Sequence, residues 1–309
     1  RVVGVLSRLR DRLLHFSRSN TRSRARRNIH AHYDLSNDFY SLFLDPSMTY
    51  SAGIFAGAGI GLETSQRAKY RRLADWAGLR EGDHVLEIGC GWGGFAEYAT
   101  CEIGCRVTGL TLSVEQARFA RQRIEEKGLD HMVDIRVKDY RDVEGVYDAI
   151  VSIEMLEAVG HRFLDGYFAA CERLLKPGGQ MALQTITIND QEYDGYRRGM
   201  DWIRKYIFPG GHLPSVGAIQ DSLKDRTGFV INRLENIGEH YATTLQHWRR
   251  RFWLKIDEVR GLGFDDAFIR MWDFYLATCE AAFLQRKIGD VQMQLVRAGE
   301  AVEDREGSR

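Results

Sequence analysis

The stretch VLEIGCGWGG, Val85 to Gly94, decides the fold class, because an aliphatic run leads into three glycines with the spacing G-x-G-x-x-G. Such a turn follows a buried strand and opens a helix, so that a ligand approaches the bare backbone and the helix N-terminus. Further strand-like runs, VTGLTL, VDIRV, YDAIVSIEML and QMALQTITI, are separated by segments of helical period. We therefore predict an α/β fold with a doubly wound, mostly parallel, Rossmann-like sheet that binds its ligand beyond the strand ends.

The composition of the chain argues against several classes of protein. The 43 basic and 43 acidic residues cancel, which argues against a general nucleic-acid binder. The five cysteines show no CxxC pairing, so we expect no disulfide framework and no metal site, and a cytoplasmic location fits best. Since no apolar run approaches the ~18 residues of a membrane span, we expect any membrane association to be peripheral.

The basic charge is concentrated at the N-terminus, where residues 1–27 hold nine Arg and one Asp. Apolar side chains fall on one helical stripe there, which predicts a basic amphipathic segment over residues 1–28. Such a helix lies on an anionic membrane surface or docks on the domain, and the sequence favours neither. Residues 29–309 form the predicted main domain, with a helical, aromatic-rich insert around 190–225.

The glycine turn alone does not identify its nucleotide. A dinucleotide enzyme places an acid at the end of the second strand, about 20 residues beyond the first glycine. Here that strand ends in Gly109, Leu110 and Thr111, which weakens the dinucleotide hypothesis. Glu87 in the first strand and the pair Asp139-Tyr140 after the third suit an adenine amino group and ring with no pyrophosphate.

Five motifs occur in order along the chain: HYDLSNDFYSLFLDPSMTYSAGIF, GCGWGGFAEYA, GLTLSVEQ, KYIFPGGHLPS and HYATTLQHWRRRF. Together they resemble the cyclopropane-fatty-acyl-phospholipid synthases, including the relatives that modify mycolic acids, from about Ile29 to about Arg297. The resemblance implies the seven-stranded fold of class I methyltransferases with N-terminal helices, and S-adenosylmethionine as cofactor. It also implies which residues bind that cofactor: Tyr50, Ser51, Gly89, Gly91, Thr111, Leu112, Gln116, Asp139 and Tyr140.

The resemblance further implies the chemistry. A methyl group is added to an isolated cis double bond, and a base then removes a proton from the resulting carbocation. In the family this base is a bound bicarbonate, and the five positions that hold it project onto Ala52, Glu157, Gln184, Ile186 and Tyr241. Two of them depart from the family pattern, since Ala52 stands at a Cys position and Gln184 at a His position. Glutamine still donates and accepts hydrogen bonds, whereas alanine offers no polar side chain.

Several functions remain open at this stage. The leading hypothesis is a C-methyltransferase that makes a cyclopropane ring on an unsaturated acyl chain of a membrane phospholipid. With an altered bicarbonate site, the cation loses a proton elsewhere and gives a methyl-branched or furan-precursor acyl chain. A coclaurine-type N-methyltransferase and an inactive lipid- or cofactor-binding relative are the other two hypotheses. An apolar acyl tunnel would favour the lipid enzyme over the N-methyltransferase.

The expected surroundings of the enzyme are the inner face of the membrane, with unsaturated phospholipid acyl chains as partners and no nucleic acid. A homodimer is compatible with the sequence. Basic residues of the insert are expected to face headgroups or solvent: Arg197, Arg198, Arg204 and Lys205. His212 and His240 show no ligand spacing, so we expect them to be structural or to support residues of the site from behind. Aromatic residues at helical spacing are expected in the core: Trp248, Phe252, Trp272 and Phe283.

Overall fold

A computed structural model of the chain describes residues 35–57 and 59–300. Its centre is one seven-stranded sheet with the order β3-β2-β1-β4-β5-β7-β6. The strands are β1 (His84–Ile88), β2 (Arg106–Thr111), β3 (Val133–Val137), β4 (Tyr147–Ile153), β5 (Leu175–Ile188), β6 (Phe229–Asn236) and β7 (Ile288–Arg297). The basic amphipathic segment predicted for residues 1–28 lies outside the described residues.

The first five strands are parallel, as the alternation of strands and helices predicts. Only β7 runs against its neighbours, and it pairs antiparallel with both β5 and β6. The helices on the two faces are α1 (Asn37–Ser41), α2 (Leu62–Trp76), α3 (Gly94–Tyr98), α4 (Val114–Glu126) and α5 (Leu164–Leu174). The sheet is therefore doubly wound and mostly parallel, as expected.

Most helices of the insert and of the C-terminal third lie beyond the strand ends, whereas the helix that begins at Val216 packs against α5 and β6. The helices of both parts are α6 (Asp190–Arg198), α7 (Trp202–Tyr206), α8 (Val216–Arg226), α9 (Gly238–Leu254), α10 (Ile256–Gly261) and α11 (Asp266–Leu284). Asp265 caps the N-terminus of α11, where its Oδ1 accepts a hydrogen bond from the backbone N–H of Phe268 at 2.8 Å. The aromatic residues expected in the core, Trp248, Phe252, Trp272 and Phe283, are all buried.

Two details of the secondary structure differ from the sequence prediction. The KPGG segment at 176–179 is typical of a turn before a strand, but β5 already begins at Leu175 and carries these four residues as an irregularity before Gln180. The sequence from Thr244 to Leu262 predicts one long helix, but the helix is interrupted at Lys255, which separates α9 from α10. Neither change moves the strand ends at which the predicted site residues lie.

The N-terminal part of the domain is fastened to the glycine turn. Trp92 Nε1 in that turn donates to Asn37 Oδ1 on α1 at 2.7 Å, and Gln66 Nε2 on α2 donates to the carbonyl of Ser51 at 2.8 Å. The segment that contains Tyr50 and Ser51 is thereby held against the carboxyl ends of the parallel strands, where ligands bind in this class of sheet.

Candidate active site

A cavity lies at the carboxyl ends of β1 to β4, and all nine residues predicted to bind the cofactor line it. They are Tyr50, Ser51, Gly89, Gly91, Thr111, Leu112, Gln116, Asp139 and Tyr140. Tyr50 and Ser51 come from the segment before α2, Gln116 comes from the first turn of α4, and the others lie at the ends of β1, β2 and β3. The parallel topology thus brings together positions far apart in sequence. The structure places these residues together, and their contacts with a cofactor remain predictions.

The glycine turn supplies the backbone geometry of the cavity. Gly89 has φ +90° and Gly91 φ +51°, values that side chains rarely allow. A Cβ on Gly89 would also lie 2.7 Å from Met155 Cγ, so glycine is required there by space as well as by conformation. The turn therefore exposes bare backbone to a ligand, as the resemblance implies.

Two acids of this cavity have different environments. Asp139 is already paired, because both its oxygens accept hydrogen bonds from the Arg141 guanidinium at 2.8 and 2.6 Å. Glu87 is buried, and its Oε2 has no hydrogen-bond partner among the described residues. Burial raises the pKa of Glu87 to about 8, while the nearby Lys69 ammonium opposes that shift. An unpaired buried carboxyl oxygen suits a cationic ligand group, such as the ammonium of a methionine moiety.

A second cavity adjoins the first and is mainly apolar. Tyr50, Glu154 and Ala158 line both cavities and so form the wall between them. The apolar lining comes from β5, the insert, α9, α11 and the start of β7: Ile186, Ile188, Ile203, Phe208, Leu213, Leu245, Phe283 and Ile288. Such a surface is complementary to a hydrocarbon chain, and its inner end lies beside the predicted cofactor cavity.

The carboxylate of Glu154 stands at this junction, and three donors hold it. The backbone N–H of Ala52 donates to Oε1 at 2.8 Å, the amide nitrogen of Gln184 donates to Oε1 at 2.9 Å, and the hydroxyl of Tyr241 donates to Oε2 at 2.7 Å. These donors belong to three of the five positions projected to hold bicarbonate. The backbone of residue 52 contributes here, so the missing Cys side chain leaves no gap in this set.

The backbone of Glu154 is in the left-handed region, with φ +49°. A non-glycine residue in that conformation costs about 1 kcal/mol or more, and such residues are concentrated at functional sites. The strain turns the side chain out of the end of β4 toward donors from three other segments. The conformation therefore makes Glu154 a candidate functional residue, in agreement with its contacts.

Two further acids complete a buried cluster. Glu157 and Ile186 are the other two positions projected to hold bicarbonate, and the Glu157 carboxylate accepts a hydrogen bond from the backbone N–H of Ile186. Burial together with the charge of Glu154 raises the pKa of Glu157 to about 8. Asp290 on β7 accepts from the amide nitrogen of Gln184 at 2.9 Å, and burial beside Glu154 and Glu157 raises the pKa of Asp290 well above its usual range. Since buried like charges are costly, the cluster retains protons at neutral pH.

A family model described as mycolic acid cyclopropane synthetase matches residues 20–293. The chain belongs to the mycolic acid cyclopropane synthetase family. It is 47% identical over 287 residues to the tuberculostearic acid methyltransferase of Mycobacterium tuberculosis, a match that covers 91% of this chain and 67% of that protein. It is 40% identical over 274 residues to the cyclopropane-fatty-acyl-phospholipid synthase of Escherichia coli, covering 88% and 68%.

The fold agrees with that of a solved member of the family. The crystal structure of mycolic acid cyclopropane synthase CmaA1 complexed with SAH and CTAB superimposes with a TM-score of 0.81 at 32% identity, covering 87% of this chain and 97% of that one. The sheet is thus that of a class I methyltransferase, and the chain is an S-adenosylmethionine-dependent lipid methyltransferase. The resemblance drawn from the five sequence motifs is confirmed.

Glu154 and Asp290 are not among the site residues predicted from the sequence. Glu154 carries a sequence signal, since it is an acid directly after the fourth strand of a parallel sheet, where ligands bind. Asp290 begins the pattern D-V-Q-M-Q-L, in which alternate polar residues fall within a buried strand. One prediction for the insert was wrong: Arg204 is only 5% exposed, its guanidinium is paired with Asp201 at 2.6 Å, and it does not face headgroups.

Proposed function

We propose that this protein transfers a methyl group to the double bond of an unsaturated phospholipid acyl chain and releases a methyl-branched unsaturated acyl chain. The observation that supports this most directly is the carboxylate of Glu154, which engages the donors projected for bicarbonate. The 47% identity with a tuberculostearic acid methyltransferase, against 40% with a cyclopropane-fatty-acyl-phospholipid synthase, points in the same direction.

The apolar cavity supports a hydrocarbon substrate. Its lining is dominated by aliphatic and aromatic side chains from several parts of the fold, and the acids Glu154 and Glu157 lie at its inner end. An N-methyltransferase for a small amine would need a compact polar pocket. An acyl chain inserted along this surface would bring its double bond to the wall formed by Tyr50, Glu154 and Ala158.

Gly89, Gly91 and Glu87 would hold S-adenosylmethionine, which when bound supplies an electrophilic methyl group and leaves one positive charge on the methylated acyl chain. The stacked rings of Tyr241 and Phe283, 4.4 Å apart, offer aromatic surface to that charge. The electron pair of the acyl double bond forms the bond to the methyl carbon. Glu154 then accepts one proton on a carboxylate oxygen, and the electron pair of the broken C–H bond forms the double bond of the methyl-branched product. Burial raises the pKa of Glu154, which strengthens it as a base.

The identity of the base bears on the product. Bicarbonate is a separate ion, whereas Glu154 is tethered at the end of β4 and fixed by the backbone of Ala52, by Gln184 and by Tyr241. A fixed carboxylate reaches only the C–H bonds presented to it. We infer that it removes a proton other than the one that closes a ring, so that the methyl branch is retained.

The experiment that tests this function is incubation of the protein with methyl-labelled S-adenosylmethionine and vesicles of monounsaturated phospholipid, followed by mass spectrometry of the released fatty acids. We expect a mass increase of one methylene unit in a product that still carries a double bond and takes up hydrogen on catalytic reduction. A product with a cyclopropane ring and no double bond would contradict the methyl-branched assignment. The absence of any labelled acyl chain would overturn the proposed function.

We also propose that the insert contacts the membrane from which the acyl chain enters. Tyr206 and Phe274 are 53% and 54% exposed, and Trp202 packs between them with ring centroids 5.7 and 4.9 Å away. Lys205 lies beside the Tyr206 ring, where a cation can meet anionic headgroups. Trp202 and Tyr206 of this exposed aromatic patch lie on α7 with Ile203, which lines the apolar cavity, and Phe274 lies on α11.

Replacing both Tyr206 and Phe274 by serine should weaken binding to anionic vesicles about tenfold, because each ring contributes only part of its full burial energy at an interface. Vesicle co-sedimentation measures the effect. The matched control is Val146→Ser, which removes a side chain that is 53% exposed before β4, at the opposite end of that strand from the cavities. Equal binding by the double variant and the control would remove the patch from the membrane contact.

A further inference from the structure

Three side chains form a continuous line of hydrogen bonds behind the apolar cavity. The hydroxyl of Tyr193 lies 3.0 Å from His212 Nε2 and 2.8 Å from His161 Nδ1. The three rings are also in contact, with centroids 5.6 Å apart for Tyr193 and His212 and 5.7 Å for His161 and Tyr193. We call these residues the His–Tyr–His line. A tyrosine hydroxyl both donates and accepts, so it can connect one imidazole to the next.

The two ends of the His–Tyr–His line open into different spaces. His212 is buried and lines the apolar cavity together with Glu154 and Glu157. His161 is exposed and lines a polar cleft on the outside of the insert, and Tyr193, which lies between the two, also lines that cleft. The line therefore crosses the wall between a nearly dry cavity and solvent.

The proposed reaction, on which this inference rests, leaves one proton on Glu154 for each methyl group transferred, whichever product forms. The cavity itself offers that proton only a slow route to water, because Glu154 and Glu157 are buried at the inner end of a mainly apolar space. Glu157 is close enough to Glu154 for the charge of one to raise the pKa of the other, and its pKa of about 8 suits a group that receives and releases a proton near neutrality. The backbone of His212 donates to the Glu157 carbonyl at 2.8 Å, which fixes this end of the line beside that acid.

We propose that His212, Tyr193 and His161 form a proton relay that returns the reaction's proton from the buried acids to solvent. When a proton arrives on Nδ1 of His212, the proton already on Nε2 moves to the Tyr193 oxygen. The hydroxyl proton passes to His161 Nδ1, and the proton on His161 Nε2 leaves to water of the cleft. Each group ends with the number of protons with which it began, so no charge accumulates in the wall.

The groups around His161 fit this role. Partial burial and the cation Arg197 lower the pKa of His161, while Asp165 and Asp194 oppose them. Arg197 is itself paired with Asp194 at 2.7 Å, and Asp165, Asp194 and Arg197 all line the cleft with His161. The imidazole is therefore neutral at neutral pH and passes a proton on rather than retaining it.

The test measures methyl transfer and proton release separately in one turnover. Enzyme in excess over cofactor is mixed with unsaturated phospholipid vesicles in weakly buffered solution, methylated acyl chains are counted by mass spectrometry after quenching, and released protons are followed with an indicator dye. In the wild type the two signals should rise together. In Tyr193→Phe we expect methyl transfer within about twofold of the wild type and proton release about tenfold slower. General acid–base transfer commonly contributes 10²–10⁴-fold, but protons can still leave more slowly through the cavity, so the loss is smaller.

A second variant separates the relay from packing. His161→Gln retains a hydrogen-bonding side chain next to Tyr193 but cannot take up one proton and release another, so we expect the same delay at an unchanged melting temperature. The control is Tyr147→Phe, which removes a hydroxyl from a buried tyrosine at the start of β4 and should leave both signals together. Coincident signals in Tyr193→Phe or His161→Gln would overturn the relay alone. Absence of methyl transfer in the wild type would instead overturn the proposed function.

Discussion

Replacement of Glu154 by glutamine is expected to lower kcat about 10³-fold while the site stays assembled, because loss of a positioned base commonly costs 10²–10⁴-fold. The amide has the shape of the carboxylate. Its oxygen still accepts from Ala52 and Gln184, and its nitrogen can donate to the Tyr241 oxygen in place of the present bond. What the variant lacks is a site that accepts a proton. Initial rates with labelled cofactor, together with calorimetric binding of the cofactor, measure the two effects separately.

The matched control is Glu192→Gln on α6. Glu192 lines the outer part of the same cavity, and its carboxylate is paired with Lys287 at 3.1 Å on the surface. A surface ion pair contributes little, so this variant should retain its rate within about twofold. A Glu154→Gln protein that keeps more than a tenth of wild-type activity would show that another group removes the proton.

A second variant, Glu154→Gly, tests whether bicarbonate can take the place of the missing carboxylate. Glycine adopts the φ of +49° without strain, and removal of the side chain frees the donors of Ala52, Gln184 and Tyr241. Added bicarbonate should then restore part of the activity, with half-maximal effect in the millimolar range expected of a small anion held by about three hydrogen bonds. Formate, which matches the charge but is a weaker base, is the comparison. No response to bicarbonate would contradict the inference that Glu154 stands in its place.

The sequence predicts the framework of this site well, because local rules dictate it. The turn from Gly89 to Gly94 follows an aliphatic strand and opens a helix. The segments that follow alternate between strand-like runs and helical periodicity, as a parallel sheet requires. Parallel strands end at one edge, so residues such as Thr111 and Asp139 are brought together without knowledge of any tertiary contact. The cofactor cavity was therefore predictable from position along the strands.

The environment of Glu154 was not predictable in that way. Its three donors are separated from it by 102, 30 and 87 residues along the chain. Its carboxylate reaches them only because the backbone adopts a left-handed conformation, which propensity disfavours for glutamate. The resemblance pointed to Glu157 and to the altered positions 52 and 184, but it could not show that a neighbouring acid had occupied the space between them.

The position of Asp290 near Glu154 depends on the register of the antiparallel strand β7, in which Gln292 pairs with Gln184 of β5. This register places Asp290 within 2.9 Å of the Gln184 amide, whose oxygen accepts from Gln292 Nε2 at 2.9 Å. A sequence gives no register for two strands about a hundred residues apart. The same limit applies to His212, whose contact with the Tyr193 hydroxyl is not visible in the sequence.

Replacement of Gly89 by alanine has the second largest expected effect, because two costs add. The residue must keep φ +90°, and its new Cβ must enter the space of the Met155 side chain, with 2.7 Å to Cγ and 2.8 Å to Cβ. Backbone strain of about 1–3 kcal/mol and overpacking of a similar size should together lower the free energy of unfolding by about 2–6 kcal/mol. For a domain of this size the melting temperature should fall by about 3–9 °C.

The same change should also weaken cofactor binding about tenfold or more, because Gly89 and Met155 both line the predicted cofactor cavity and movement of the turn displaces its floor. Calorimetry with S-adenosylhomocysteine measures that loss. Gly128→Ala separates strain from contact, since Gly128 has φ +68° in open space and does not line that cavity. The control should lose about 1 kcal/mol of stability and no affinity. If Gly89→Ala behaves like Gly128→Ala, the glycine serves only the turn conformation, and close approach of a ligand to its backbone is no longer needed to explain it.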